Sequence, residues 1–152
     1  ETGAFARPGA RSRHNLNYRR FGDYLGVGAG AHGQLSFPDR IVREMRFKQP
    51  RAYMDNARAG AAAQSRETIA ATDLPLEFAM NLFRLAEGFP LALFAERTGL
   101  SMAAIEAPLA RAEAAGLVER DAFAVRPTPR GRRFLNDLLG LFVPEAHAPE
   151  KL

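Results

Sequence analysis

The chain has 152 residues, of which 47% are hydrophobic, and its 21 basic and 17 acidic side chains give a net charge of +4. This composition is typical of one compact domain or two small ones, and no apolar run approaches the ~20 residues that span a membrane. The complete absence of cysteine excludes disulfides, thiolate zinc sites, cysteine nucleophiles and iron–sulfur clusters ligated by this chain.

The positive charge is concentrated in the first part of the chain. Residues 1–60 carry 11 Lys and Arg against 5 Asp and Glu, whereas residues 61–152 carry 10 against 12. A basic half suits an anionic ligand, a nucleic acid or an acidic partner, although a solvated basic surface has the same composition. The chain shows no export signal and does not begin with Met, so we expect part of a longer, cytoplasmic protein.

The first sixty residues show short strand patterns separated by loops. The predicted elements are the end of a strand over 1–6, a basic loop over 7–13, a buried strand over 24–27, a glycine-rich loop over 28–33, a strand or irregular segment over 40–47, a helix opening at Pro50, and a small, polar linker over 60–65.

From Asp73 the pattern changes to short helices. The predicted elements are helices over 76–86, 91–98 and 101–115, short strands over 117–120 and 123–126, and a last helix from Thr128 to Leu141. Asp73 would cap the first helix and Gly99 would end the second. Pro108 lies inside the third helix and should kink it. Three helices, a hairpin and a final helix are the arrangement of a winged helix.

A winged helix invites a DNA-binding function, but the third helix lacks the side chains for it. Its first turns contain no Arg, Lys, Asn or Gln that would bond base edges, and Glu106 and Glu113 would face phosphate with the wrong charge. The basic cluster of this half is Arg130, Arg132 and Arg133. The pattern therefore favours a structural or partner-docking winged helix.

The segment from Gly28 to Gly33 matches the G-x-G-x-x-G pattern of dinucleotide sites. Such a site needs a helix that opens at the glycines and turns its amides to the pyrophosphate. Ser36-Phe37-Pro38 follows too soon to leave room for that helix. We therefore expect the glycines to allow close approach of a ligand or a neighbouring strand.

Two histidines, His14 and His32, lie on either side of this turn. An imidazole binds metals and shuttles protons near neutral pH, although a lone histidine is most often an ordinary hydrogen-bonding residue. Asn15, Asn17 and Tyr18 surround His14 with directional polar groups.

Segments along most of the chain together resemble a known family. The string His14-Asn15-Leu16-Asn17-Tyr18, followed by the glycine-rich residues 22–33, looks like the carboxyl-terminal part of radical S-adenosylmethionine proteins related to oxygen-independent coproporphyrinogen III oxidase, and most of all like their haem chaperones. The later segments that agree are 87–90, 93–99, 116–117, 127–128 and 131–136.

This resemblance implies an α+β fold in which residues 1–60 are the last strands of a partial (β/α) barrel. Residues 61–152 would be a winged-helix-like domain with a core of about 73–143. The barrel of the parent would bind a 4Fe-4S cluster and S-adenosylmethionine through a cysteine triplet that this chain lacks. The chain alone would therefore not be an enzyme, whereas the parent would be a coproporphyrinogen dehydrogenase-like protein.

The resemblance also implies a haem site. The haem chaperones carry the motif His-Asn-x-x-Tyr-Trp, whose histidine is implicated in haem binding, and His14 would thus be an axial ligand of the haem iron. Arg19 replaces the tryptophan, so a cation suited to a propionate stands in place of an aromatic ring. The predicted cofactor-binding residues are His14, Asn15, Tyr18, Arg19, Gly28, Gly30 and His32.

The function implied is that of a haem chaperone, which binds haem or a porphyrin and delivers it to acceptor proteins. One alternative is part of an oxygen-independent coproporphyrinogen III oxidase. A second alternative is a winged-helix module that binds DNA or docks a partner. We expect no nucleic acid and no transmembrane segment, and barrel strands with open edges would favour oligomers of the isolated chain.

Overall fold

The structure is a computed structural model that describes residue 7 and residues 10–144. The chain forms two compact units. We call Gly22–Ile69 the sheet unit, and the remainder, up to Phe21 and from Ala70 onward, the helical unit. The strand expected over residues 1–6 lies outside the described residues.

The sheet unit is a three-stranded antiparallel sheet with one helix. Its elements are β1 (His32–Ser36), β2 (Ile41–Arg46), α2 (Pro50–Arg58) and β3 (Ala63–Thr68). The strands lie in the order β1-β2-β3, and the central strand β2 buries Ile41, Val42 and the carboxylate of Glu44. The Nε atom of Arg66 donates to Glu44 at 2.7 Å, which compensates the burial of that charge.

Two predictions for the sheet unit are confirmed and three are wrong. The strand near 40–47 and the helix with Pro50 in its first turn are present. The buried strand over 24–27 is absent: this stretch makes a single bridge, between Tyr24 and Gln34. The predicted loop over 28–33 ends early because β1 begins at His32, and the predicted linker over 60–65 runs into β3.

The physical reasons for these errors are local. Leu25 and Val27 are 70% and 84% exposed, so the apolar character of this run does not mark a buried strand here. Strand β3 pairs with one neighbour and most of its residues are exposed, so it needs none of the apolar alternation that identifies a half-buried strand.

The helical unit has the predicted winged-helix arrangement, preceded by a helix that was not predicted. Its elements are α1 (Arg13–Arg19), α3 (Leu74–Leu82), β4 (Phe89–Pro90), α4 (Ala92–Thr98), α5 (Ala103–Ala114), β5 (Val118–Arg120), β6 (Ala124–Pro127), α6 (Pro129–Arg133) and α7 (Leu135–Gly140). Strands β5 and β6 form the hairpin, and β4 pairs with β6 on its other side. The whole described chain is thus an α+β protein, whereas the assignment of residues 1–60 to a barrel stays a prediction.

The core of the helical unit is a cluster of phenylalanine rings. Phe78 on α3 meets the rings of Phe21, Phe89 and Phe94 edge to face, at centroid distances of 5.8, 5.2 and 5.1 Å. Edge-to-face pairs of this kind add stabilisation beyond the burial of their area. Strand β4, helix α4 and the segment after α1 therefore converge on one side chain of α3.

The helix ends follow the predicted signals in part. Gly99 ends α4 in the left-handed conformation, with φ of +71°, and the Thr128 hydroxyl accepts a hydrogen bond from the Gly131 amide. Asp73 stands at the start of α3 but its side chain makes no capping bond. The single last helix expected to Leu141 is wrong, because Phe134 leaves helical geometry, with φ of −109° and ψ of 47°, and separates α6 from α7.

None of the helices in the described part of the chain has both the length and the apolar character that crossing a membrane requires.

Candidate functional site

His14 lies on α1, the short helix at the start of the described chain. Ser12 precedes the helix and its hydroxyl accepts a hydrogen bond from the Asn15 amide at 3.3 Å, which satisfies one of the free donors of the first turn. His14 and Tyr18 are four residues apart and therefore share one face of the helix. The side chains of His14 and Asn15 are exposed, and Tyr18 is 39% exposed. Three of the predicted site residues thus stand together on one accessible surface.

A residue that the sequence did not single out attaches this helix to the core. No residue of α1 is buried, whereas Phe21, two residues after its end, is 1% exposed and packs against Phe78. Phe21 has a positive φ of 56°, which costs a residue with a side chain roughly 1–2 kcal/mol. Burial of the ring offsets this cost, and a lone phenylalanine in the polar stretch before Gly22 was the signal available in the sequence.

Arg19, the last residue of α1, has a half-buried side chain. The centre of its guanidinium lies 5.8 Å from the centroid of the Tyr18 ring, a cation–π distance. Burial holds the pKa of Arg19 below its ordinary value, and the positive charge of Arg84 lowers that pKa further. Arg84 follows the end of α3, and the sequence did not identify it as part of the site.

The glycine-rich loop belongs to the sheet unit and its amides are used within that unit. Gly28 and Gly30 have φ values of +104° and +71°, which residues other than glycine rarely adopt. The amide of Gly28 donates to the Tyr53 hydroxyl at 3.2 Å, and the amide of Gly30 donates to the Phe47 carbonyl at 2.8 Å. A strand follows these glycines, as expected for a loop that does not bind a dinucleotide.

Gly26 explains why the loop lies so close to the start of β1. A Cβ atom on Gly26 would stand 2.4 Å from the carbonyl oxygen of His32, so only glycine fits there. His32 itself pairs with Met45 and has an exposed side chain. The predicted site residues therefore form two groups: His14, Asn15, Tyr18 and Arg19 in the helical unit, and Gly28, Gly30 and His32 in the sheet unit.

No group of three or more His, Cys, Asp or Glu side chains suited to a metal ion occurs among the described residues. The cysteine-free chain also offers no thiolate for an iron–sulfur cluster. Any metal bound through His14 would accordingly have a single ligand from this helix, as an iron already held by a macrocycle does.

The hairpin of the winged helix has its cations neutralised by carboxylates. Arg120 contacts Glu106 at 2.8 Å and Glu113 at 2.9 Å, and the hydrogen bond that Arg120 donates to Glu106 is the largest of the causes that raise the pKa of Arg120. Arg126 lies 3.6 Å from Asp121. The cluster of Arg130, Arg132 and Arg133 is exposed. Phosphate contacts by the hairpin would have to displace these carboxylates, which does not favour DNA binding.

Comparison with known proteins agrees with the family that the sequence resembles. Residues 69–134 match the family model described as the HemN C-terminal domain. The haem chaperone HemW of Escherichia coli (strain K12) is 45% identical over 146 residues, which cover 95% of this chain and 38% of that protein. This chain is therefore similar to the HemW haem chaperones, and its residues 69–134 are similar to the HemN C-terminal domain. HemW of Haemophilus influenzae is 40% identical over 146 residues, 95% of this chain and 37% of the relative.

A solved structure shares the fold. The match is to the coproporphyrinogen III oxidase HemN of Escherichia coli, a radical SAM enzyme, with a TM-score of 0.57 and 18% identity over 91% of this chain and 35% of that one. The chain thus spans less than two fifths of the length of the HemW and HemN proteins that it matches.

Proposed function

We propose that this chain is part of a HemW-type haem chaperone that binds haem or a porphyrin as cargo and delivers it to acceptor proteins. The observation that carries the proposal is the exposed imidazole of His14 on a helix that is capped by Ser12 and anchored by Phe21. The relatives at 45% and 40% identity are named haem chaperones, which supports this cargo. The oxidase alternative has only a likeness of fold, at 18% identity.

In this proposal, α1 supplies one axial ligand of the haem iron and three side chains that contact the rest of the haem. A neutral imidazole nitrogen of His14 would donate its lone pair to the haem iron. Tyr18 stands one turn further on the same face and offers an aromatic ring to the macrocycle. Asn15 would supply a hydrogen bond, and the guanidinium of Arg19 would pair with a propionate.

The proposal leaves the radical chemistry to parts of the protein other than this chain. A 4Fe-4S cluster and S-adenosylmethionine belong to the proposed longer protein, and the absence of cysteine means that this chain supplies no thiolate to the cluster. We place the protein in the cytoplasm. We retain Gly28, Gly30 and His32 as predicted cofactor-binding residues, and the hydrogen bonds from the Gly28 and Gly30 amides to Tyr53 and Phe47 fix the shape of their loop.

A haem titration followed by absorbance tests the role of His14. His14→Ala should weaken haem binding about tenfold or more, since a metal–ligand bond is lost, and free imidazole added to this variant should restore the spectrum of a histidine-ligated haem. His14 lies on the surface, so the circular dichroism spectrum should stay unchanged. An unchanged haem spectrum in His14→Ala would remove the assignment, and a change produced by His32→Ala alone would move the ligand to the sheet unit.

A further inference from the structure

Two arginines of the helical unit, Arg19 and Arg84, each have one buried nitrogen atom without a hydrogen-bond partner among the described residues. Nη1 of Arg19 and Nε of Arg84 are both shielded from water, and neither has a hydrogen-bond partner among the described residues. Arg19 ends α1 and Arg84 follows α3, and these two helices contact one another. A buried N–H without an acceptor costs free energy, and a bound ion is one of the explanations for such a group in a native structure.

The charges of the two side chains make the arrangement still less favourable without a ligand. Arg84 is near enough that its positive charge depresses the pKa of Arg19, in addition to the larger effect of burial. The neighbouring carboxylate of Glu87 is already engaged by Arg11. Both cations are half-buried, and no ion pair within the described residues supplies either of them with an anion that would stabilise it.

We propose that Arg19 and Arg84 form a binding site for a carboxylate. A guanidinium offers planar, paired donors that match the two oxygens of a carboxylate, and a charge-assisted bond of this kind is about twice as strong as a neutral one. The carboxylate comes either from a propionate of haem, which rests on the proposed function, or from an acidic side chain of a protein. Arg84 thereby becomes a ligand-binding residue that no motif indicated.

The site itself is tested without haem, by the thermal stability of the protein in sodium succinate against sodium chloride at equal ionic strength. The wild type should gain a few degrees in succinate, because a ligand that binds only the folded state raises the Tm. Arg84→Gln and Arg19→Gln should lose this gain. Arg97→Gln, which removes the same charge from an exposed position on α4, should keep it. Equal gains in Arg84→Gln and the wild type would overturn the proposal.

A second readout separates a binding site from a structural role. If the two arginines are an unfilled anion site, Arg84→Gln relieves the repulsion and should leave the Tm at low salt unchanged or higher, as is common when a functional residue is removed. A clear loss of Tm in Arg84→Gln, equal in chloride and succinate, would identify the arginine as a structural residue and would overturn the proposal.

Haem and its dimethyl ester then distinguish the sources of the carboxylate. If the site takes a propionate, Arg84→Gln should weaken the binding of haem about tenfold and leave the binding of the ester, whose propionates are blocked, unchanged. Equal haem affinity in Arg84→Gln and the wild type, together with the succinate effect, would support a carboxylate from a protein. Loss of haem binding in His14→Ala is a separate result, so failure of this site and failure of the haem ligand are distinguishable.

Discussion

The ring of Phe21 meets the ring of Phe78 edge to face, with 5.8 Å between their centroids. This contact joins the segment that follows His14 to the centre of the winged-helix core, although the sheet unit of Gly22–Ile69 lies between them in the sequence. The candidate haem ligand therefore belongs structurally to the helical unit.

Removal of the Phe21 ring should destabilise the helical unit. Phe21→Ala leaves a cavity beside Phe78, and a buried Phe→Ala change typically costs about 3–5 kcal/mol. Phe123→Ala is the matched control, because Phe123 is 81% exposed and a surface change of this type stays within about 0.5 kcal/mol. Denaturant unfolding measures both. Equal free energies of unfolding for the two variants would contradict the anchoring role of Phe21.

The winged-helix part was predictable because its signals are local. Gly99 ends α4 through its own backbone conformation, and Thr128 caps α6 through its own hydroxyl. Helix α1 has no buried residue, so it lacks the apolar periodicity by which a helix is recognised, and it is held by Phe21 through a contact that spans 57 positions of the chain.

The candidate site was predictable only as far as its motif extends. His14, Asn15 and Tyr18 follow from one short string, whereas Arg84 becomes part of the site through the packing of two helices that are distant in sequence. The glycine loop was identified by its pattern, but its hydrogen bond to Tyr53 depends on the position of α2. Side chains that are brought together by tertiary packing leave no pattern in a single sequence.

Gly88 and Gly99 have the same φ of +71° but different surroundings. A Cβ atom on Gly99 would meet nothing within 4 Å, whereas one on Gly88 would stand 2.0 Å from the carbonyl oxygen of Val125. Gly99→Ala should therefore cost only the left-handed backbone term of roughly 1–2 kcal/mol. Gly88→Ala has the same backbone cost and also overpacks the core against β6, which should lower the free energy of unfolding by about another 1–3 kcal/mol. The difference in unfolding free energy between the two variants measures the close approach, and equal values would contradict it.

Thr128 connects the turn that follows α5 to the start of α6 through one hydroxyl. This oxygen accepts from the Gly131 amide at 3.0 Å and donates toward the Gly116 carbonyl at 2.8 Å. Thr128→Ala should lower the free energy of unfolding by about 1–2 kcal/mol, the usual cost of a lost helix cap. Thr128→Ser retains the hydroxyl and should lose much less. A loss of equal size in both variants would assign the effect to the methyl group and not to the cap.

The turn of the hairpin should make the stability of the helical unit sensitive to acid through Asp121. One of its carboxylate oxygens accepts from the amides of Phe123 and Ala124 at 2.8 and 2.9 Å. These two bonds hold the pKa of Asp121 below its usual value against a smaller opposing effect of burial, and the charge of Arg126 adds the smallest contribution to the lowering. Because the pKa is lower in the folded state, the carboxylate stabilises the fold fully above its unfolded pKa of about 3.9, and the contribution disappears as the pH falls from there through the folded pKa.

Thermal unfolding of the wild type and of Asp121→Asn between neutral pH and pH 2.5 measures this effect. The asparagine oxygen still accepts hydrogen bonds but does not titrate in this range, so the variant lacks the charged form at every pH. The wild type should have the higher Tm at neutral pH, and the difference should shrink as the pH falls below about 4. A difference that stays constant across the acid range would mean that the Asp121 carboxylate has the same pKa in the folded and unfolded chains, and that its two amide bonds do not favour the charged form.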